Sequence, residues 1–379
     1  MKRSPLKSPV RLLTAVPICD GHDSAINTIN LECIRHGIEV VYLGFHRPEA
    51  DIVRAAIQED VRAVGISTYN GGHVEFFRDV RRGLDRAGAG HIGLFGGGGG
   101  TISEADARLM KRHGTDEIFF PGASLESIVK FVSDRYAKPG KPDAPATPDG
   151  RLARALTRIE AHGVGPAKTA KRRHHARVIG ITGPGGAGKT TLIDELVLRY
   201  LHAFPAGRIA ILSHDPSSVG DGALLGDRAT MIHSQDERVF MRSMATRGRA
   251  GGLSPATERC LQHLTRQAFE LIFVETVGTG QEALPFRARP FDLKVLVMNP
   301  DYGARLQLQK IAMLDVADIV VVNKSDQPRA RAAAAEVGRR LAVNGRGQRL
   351  VSAAACRHRD PGVDELFRLV TGAPTEAAQ

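Results

Sequence analysis

The chain contains no tryptophan, and aromatic residues make up only 5% of its 379 residues. Its cores must therefore be aliphatic, and a hydrophobic content of 42% is enough to build them. Cysteine is scarce: Cys19, Cys33, Cys260 and Cys356 stand alone, with no C-x-x-C spacing. That excludes a disulfide framework and a cysteine zinc site, and it fits a reducing cytoplasm. No window reaches the roughly 18 apolar residues of a membrane-spanning helix. The polar, basic start Met1 to Pro9 runs into a strand-like segment and does not have the form of a signal peptide. Acidic residues are fewer than basic ones, 41 against 52, giving a net charge of +11. Such a charge invites a nucleic-acid reading. However, the one dense basic run, Lys168 to Arg177, has no interleaved aromatics and no recognition motif. It is expected to be a solvated linker or a surface facing a protein partner, so neither nucleic acid nor membrane is expected as a partner. The length predicts two or three domains.

What is present begins with Gly183-Pro184-Gly185-Gly186-Ala187-Gly188-Lys189-Thr190, which fits the phosphate-binding pattern G-x-x-x-x-G-K-[ST] at every fixed position. A β-branched run, Arg177–Thr182, precedes it, and a helical pattern from Thr191 to Tyr200 follows. Strand, glycine loop and helix are the context that this motif needs. The glycines let successive N–H groups face one phosphate chain, and the helix adds the positive end of its dipole. Lys189 is expected at the β- and γ-phosphates, and the Thr190 hydroxyl on Mg²⁺. Further apolar runs at Arg208–Ser213, Leu271–Val274, Leu293–Met298 and Ile319–Val322 predict strands. Glu275 ends one of them, where an acidic residue can hold the metal directly or through water. Asn323-Lys324-Ser325-Asp326 ends another. The Asp326 carboxylate can accept both N1–H and N2–H₂ of guanine, a donor pair that adenine lacks. The nucleotide is therefore expected to be GTP, which argues against an ATP-using kinase. Ser352 and Ala353 fit a loop that also touches guanine.

The first part of the chain alternates strand and helix patterns. Strands are expected at Val10–Val16, Glu39–Gly44, Ala63–Ser67, His91–Phe95 and Glu117–Phe120, and helices at Ser24–His36, Pro48–Glu59, Val74–Ala87, Ser103–His113 and Leu125–Tyr136. Five such units predict an α/β domain with a doubly wound, flavodoxin-like parallel sheet, whose ligands bind at the carboxyl ends of its strands. At those ends lie Asp20-Gly21-His22, then Ser67 and Tyr69, then the glycine run from Gly96 and Gly97 to Gly100, then Pro121-Gly122. These stretches resemble the cobalamin-binding domain of acyl-CoA mutases, with the signature D-x-H-x-x-G, S-x-L and G-G. Tyr69 stands where Leu is usual, and Ala25 replaces the motif's last Gly. The resemblance implies adenosylcobalamin as cofactor, His22 as lower axial cobalt ligand, and Asp20 as the carboxylate on the other imidazole nitrogen. It further implies that Ser67, Tyr69, Gly96, Gly97, Pro121 and Gly122 line a slot for the cofactor's nucleotide tail.

The rest resembles the G-protein metallochaperones of cobalamin-dependent mutases, the methylmalonyl-CoA mutase-associated GTPase family. The matching stretches are Asp215–Ser218, Gly222–Arg228, Arg247-Gly248 with Gly251–Ser254, Glu275–Gln281 and Asn323–Asp326. By that resemblance Thr190, Asp215, Asp227 and Glu275 surround Mg²⁺, and Gly183, Gly185, Gly186, Ala187, Gly188, Lys189, Thr190 and Thr191 bind the nucleotide. Lys189, Glu275 and Gln281 are the catalytic candidates. A cobalamin domain over 1–136, a linker over 137–176 with a short basic helix at Arg151–Ala161, and a GTPase domain over 177–379 follow the order of the N-terminal part of the fused isobutyryl-CoA mutases. The roughly 200 residues of the second domain leave no room for a (β/α)₈ barrel of about 250. Either the barrel is a separate subunit or the sequence is a fragment of a longer fused mutase; Met1 and the polar, Ala-rich tail favour a natural two-domain subunit, a GTPase chaperone joined to the small subunit of an acyl-CoA mutase. Its implied partners are a separate barrel subunit, an adenosyltransferase and further copies of itself. A cobalamin-binding sensor or carrier with a regulatory G domain is the alternative.

Ras-like proteins place a water-positioning glutamine directly after the switch glycine. Here Thr279 occupies that position and Gln281 comes two residues later. Intrinsic hydrolysis should be slow and rise when a partner orders the loop. GTP should be turned over in preference to ATP; equal turnover of both would restore the kinase reading. Gln281→Ala should lower the partner-stimulated rate, and an unchanged rate would remove Gln281 from that role.

Overall fold

The computed structural model describes residues 9–18, 20–21, 24–138, 147–162, 176–218, 221–278, 286, 291–303 and 312–372. The described strands, in chain order, are β1 (Arg11–Ala15), β2 (Glu39–Tyr42), β3 (Ala63–Ser67), β4 (Gly93–Gly97), β5 (Glu117–Phe119), β6 (Arg177–Thr182), β7 (Ile209–Asp215), β8 (Ala223–Leu225), β9 (Val239–Ala245), β10 (Leu271–Glu275), β11 (Leu293–Met298), β12 (Ile319–Val322) and β13 (Arg349–Ser352). The chain divides into two compact units. The first comprises Met1–Gly165, Asp215–Thr230 and Met241–Gly248, and the second comprises Pro166–His214, Met231–Phe240 and Arg249–Gln379. No helix among the described residues is long and apolar enough to cross a membrane.

In the first unit the strand order is β5-β4-β3-β1-β2-β8, with parallel pairing throughout. Helices α1 (Ser24–Arg35), α2 (Glu49–Gln58), α3 (His73–Arg86), α4 (Glu104–Arg112) and α5 (Leu125–Tyr136) alternate with the first five strands. Apart from β8 this is the flavodoxin-like order expected from the sequence. Successive residues of a strand serve opposite faces. Leu13, Val41 and Val64 pack with Ile52, Phe77 and Leu84 of α2 and α3, while Leu12, Val40 and Ala63 pack with Cys33, Val129 and Val132 of α1 and α5. Both faces are covered, so the strands are apolar throughout rather than alternating. Ser103 starts α4 with a capping box: its hydroxyl accepts the Asp106 N–H, and Asp106 accepts the Ser103 N–H.

Two local differences from the sequence reading have simple causes. Strand β4 runs Gly93–Gly97 instead of His91–Phe95, because Gly96 and Gly97 pair with Ile66 and Ser67 although glycine is a poor strand former. A side chain at Gly96 would meet the Ile66 carbonyl at 2.3 Å, so glycine is required there. The helix expected at Arg151–Ala161 extends over Pro148–His162, here α6. The Thr147 hydroxyl accepts the Gly150 N–H, and proline suits the first helical position.

The first unit also contains a buried ionic cluster. Arg11 donates to Glu39 at 2.7 Å, to Glu160 of α6 at 3.2 Å and to Glu59 at 3.4 Å. Arg228 donates to Glu59 at 2.7 Å, and Arg242 donates to Glu160 at 3.0 Å. Both partners of the Arg228–Glu59 pair are fully excluded from solvent. The arginines come from β1 and from the two late segments that the first unit acquires. Burial raises the Glu160 carboxyl pKa, but Arg242, Arg11 and Arg247 outweigh it and hold the group below the ordinary carboxylate range.

The second unit has a seven-stranded sheet in the order β13-β12-β11-β6-β10-β7-β9. Helix α7 (Lys189–Ala203) follows β6. Leu296, Met298, Val320 and Val322 meet Val337 and Leu341 of the helix Ala330–Asn344 in an aliphatic core.

Removing one member of a buried ion pair leaves the other charge unpaired, so Glu59→Gln should destabilise the first unit by about 3–5 kcal/mol, read as a lower urea midpoint. Glu160 has a depressed folded pKa. Its contribution is present above the unfolded value of about 4.3 and is lost as pH falls through the folded value. Glu160→Gln should therefore lower stability at neutral pH, and the gap should close in acid. A gap that persists in acid would contradict the assignment.

Candidate functional sites

The nucleotide site grows from β6. Its last residue, Thr182, leads into the glycine loop, and α7 begins at Lys189. Gly188 has φ +84°, in the left-handed region, and a side chain there would meet Asn323 Nδ2 at 2.4 Å. Asn323 is buried; its Nδ2 donates to the Ala187 carbonyl at 2.9 Å, and its Oδ1 accepts the Ala355 N–H at 3.1 Å. The first residue of the guanine-reading motif thus braces the phosphate loop. The Ser325 N–H donates to the Ala353 carbonyl at 2.9 Å, joining the loop of Lys324 and Asp326 to that of Ser352 and Ala353. Asp326 and Ser352 are exposed, as groups that meet a base must be. The structure thus brings the two predicted guanine-contacting loops together.

Lys189 Nζ donates to the carbonyls of Gly183 at 3.1 Å and Pro184 at 3.3 Å. The Thr190 hydroxyl donates to Glu275 Oε1 at 2.8 Å, and Ser213 Oγ lies 3.4 Å from Glu275 Oε2. The Gly185 N–H donates to the Gly278 carbonyl at 2.9 Å, so the segment after Glu275 lies against the phosphate loop. Thr191 is exposed on the first turn of α7. His214 had no role in the sequence reading. It is buried, with Nδ1 donating to the Glu275 carbonyl at 2.7 Å and Nε2 at 2.8 Å from the Thr257 hydroxyl. No motif signals it, because the contact depends on β7 and β10 being neighbours.

Thr190 and Glu275, both expected at magnesium, lie within hydrogen-bond distance of each other. Mg²⁺ takes one or two protein oxygens and completes its shell with water and phosphate, and a hydroxyl beside a carboxylate fits that habit. Asp215 and Asp227 group with the first unit. Asp215 Oδ2 accepts the Gly226 N–H at 3.2 Å, and Asp227 opens the short helix Asp227–Thr230. Thr279 and Gln281 lie outside the described residues, as does His22.

The second candidate site lies at the carboxyl ends of β1, β3, β4 and β5. A cavity of about 510 Å³ opens there between α1 and α5, walled by Ser67, Tyr69, Gly96, Gly97, Pro121 and Gly122 among others. Asp20 is fully buried, and its carboxylate accepts the Tyr69 N–H. The sequence reading gave Asp20 to the histidine; the structure adds that it fastens the loop after β3 to the loop after β1. Cys33 also lines the cavity, and burial pushes its thiol up to about 11, so it stays protonated and neutral. Its lining joins apolar side chains such as Ile26, Ile29 and Ile128 to a glycine-rich side, Gly96 to Gly99, which suits the nucleotide tail of a cobalamin. Ile18, Phe45, Phe120 and Leu125 are exposed large apolar side chains around the same strand ends. Such an apolar rim suits a broad, flat ligand or a protein partner.

Residues 152–372 match the family model for the methylmalonyl Co-A mutase-associated GTPase MeaB, and residues 10–129 match that for the B12 binding domain. Fused isobutyryl-CoA mutase of Geobacillus kaustophilus is 38% identical over 350 residues, covering 85% of this chain and 32% of that protein. The protein of the same description from Cupriavidus metallidurans is 36% identical over 390 residues, covering 96% of this chain and 36% of that one. That from Nocardia farcinica is 37% identical over 354 residues, with coverages of 89% and 33%. The chain thus spans about a third of the length of these relatives.

Loss of the Glu275 carboxylate should weaken Mg²⁺-dependent nucleotide binding. Glu275→Gln is expected to raise the Mg²⁺ concentration for half-maximal GTP-analogue binding by roughly ten-fold or more. An unchanged Mg²⁺ dependence would remove Glu275 from the metal.

Proposed function

Because this chain belongs to the methylmalonyl-CoA mutase-associated GTPase family and carries a B12-binding domain ahead of the GTPase, we propose that it hydrolyses GTP to gate the loading and repair of adenosylcobalamin for an acyl-CoA mutase. The observation that carries the reading is the presence, on one chain, of a phosphate loop braced by Asn323 of the Asn323–Asp326 motif and a cavity fastened by Asp20 at the carboxyl ends of a flavodoxin-like sheet.

In this reading the N–H groups of Gly185 to Thr190 cradle the phosphates, and Lys189 exchanges its loop carbonyls for the β- and γ-phosphate oxygens. Thr190 and Glu275 hold Mg²⁺, and Asp215 and Asp227 are the further candidates supplied by the family pattern. Gln281 orients a water. That water attacks the γ-phosphorus, the bond to the β–γ bridging oxygen breaks, and GDP and phosphate leave. Asp326 selects guanine. In the first unit His22 would be the lower axial cobalt ligand, and Ser67, Tyr69, Gly96, Gly97, Pro121 and Gly122 would enclose the tail. Cobalamin, when bound, supplies the radical chemistry of a carbon-skeleton rearrangement. The acyl-CoA itself would sit on a separate barrel subunit, with an adenosyltransferase as cofactor donor. The relatives' name, fused isobutyryl-CoA mutase, supports the mutase side of this reading.

Mixing the purified chain with adenosylcobalamin and a barrel subunit from the same source should produce acyl-CoA isomerisation. If no barrel subunit restores it, the mutase half of the reading fails and a sensor or carrier remains. His22→Ala should abolish the imidazole-bound cobalamin spectrum; retention of that spectrum would refute the ligand assignment.

A further inference from the structure

We propose that the first unit carries a second ligand site, a cationic cavity at the amino ends of β3, β4 and β5 that takes a small phosphorylated polyanion of nucleotide size. The inference stands apart from the cobalamin and GTPase readings and concerns contacts within the first unit alone.

The cavity has a volume of about 850 Å³, and every residue that lines it belongs to the first unit. It lies at the opposite end of the sheet from the Asp20 cavity. Asp60 to Arg62 enter it just before β3, Gly90 to Ile92 just before β4, and Gly114 and Asp116 just before β5. Open α/β sheets ordinarily bind ligands at the other end. Here α6 supplies a wall that five strand–helix units alone would lack. Its Leu152, Leu156 and Ile159 are buried, its Glu160 is held by Arg11 and Arg242, and Gln58 Nε2 donates to its Asp149 at 2.9 Å. Fixed from that side, α6 gives Arg154, Arg158 and His162 to the cavity, spaced four residues apart on one face.

The charge in the cavity is unbalanced. Seven arginine and lysine side chains line it against three carboxylates. Two of those carboxylates are engaged within the wall: Asp85 accepts from Arg81 at 2.7 Å, and Asp116 accepts from Arg135 at 2.8 Å. Arg62, Arg112, Lys138 and Arg158 make no ion pair with any described residue. Arg62 is half-buried, and it reaches only the carbonyls of Tyr136 and Ala137, each at a long 3.4 Å. Burial depresses its pKa, and the charge of Asp60 offsets only part of that effect. His113 Nδ1 is buried and makes no hydrogen bond with any described residue. Cations at helix C-termini complement the helix dipole, and Arg112 and Arg135 do so in the last turns of α4 and α5. That does not account for Arg154 and Arg158, which lie inside α6, or for Arg62, which precedes a strand. Like charges gathered in one partly enclosed space repel one another, and a multivalent anion removes the repulsion. Phosphate suits these donors, because a guanidinium pairs with two of its oxygens at once. The volume is that of a small-molecule pocket and matches one nucleotide-sized ligand.

The test is calorimetric titration of the full chain with inorganic pyrophosphate, the phosphate loop first filled with GDP. The unmodified protein should bind pyrophosphate saturably, with an affinity that falls as salt rises. Arg158→Ala should weaken binding roughly five- to ten-fold, and Arg158→Glu should abolish it. Arg158 is exposed, so neither substitution threatens folding. Arg62→Gln should weaken binding by a similar factor. Arg108→Ala, on an exposed part of α4 outside the cavity, should change nothing. Stability separates a binding site from a structural role. Arg158→Glu relieves repulsion and should keep or raise the urea midpoint, and pyrophosphate should raise the midpoint of the unmodified protein but not of this variant. Failure of the unmodified protein to bind pyrophosphate would overturn the proposal. So would an equal loss in Arg108→Ala, or a lowered midpoint with unchanged binding in Arg158→Glu. A single-stranded oligonucleotide that competes for the site and binds more tightly than pyrophosphate would overturn the small-ligand assignment.

Discussion

Glu59 is a fully buried carboxylate on which the first unit depends. One of its oxygens accepts from Arg228 and from the backbone and hydroxyl of Ser243; the other accepts from Arg11. These donors come from β1 and from two segments that follow the phosphate loop in sequence. Stripping water from so many charges is expensive, and the pairing roughly offsets that cost. Once the cluster is buried, loss of any one partner leaves a charge stranded, so the members hold one another in place. The consequence is topological. Asp215–Thr230 and Met241–Gly248 are placed with the sheet of the first unit, and β8 becomes its sixth strand.

The acquired segment carries Asp215 and Asp227, two of the four residues that we propose for magnesium. Thr190 and Glu275 make a self-sufficient pair in the second unit, while Asp215 and Asp227 are held by contacts of the first. The division between the units falls within β7, after His214, whose ring holds the Glu275 carbonyl.

The sequence made much of this legible. Strand β3, helix α5 and strands β6, β11 and β12 have the bounds that the apolar runs predict, because a strand buried on both faces leaves a continuous signature. The phosphate loop, Glu275 and Asn323–Asp326 are fixed by local spacing, and they assemble as expected. Two features were not legible. Ala223-Leu224-Leu225 is too short for a periodicity, and only its contact with β2, far away in sequence, makes it a strand. Glu160, on what looked like a linker helix, reads as one more solvated charge until Arg11 and Arg242 are seen around it. Local pattern reveals elements and motifs, whereas long-range pairing of charges and edge strands appears only in the folded chain.

A B12-binding domain and a GTPase domain on one chain should give two independent sites, one for cobalamin and one for guanine nucleotide. Equilibrium dialysis of the purified full chain against radiolabelled GTP analogue and cobalamin together should find one equivalent of each bound per chain, with Lys189→Ala losing the nucleotide alone. Binding of only one ligand, or joint loss of both on that substitution, would rule out two independent sites.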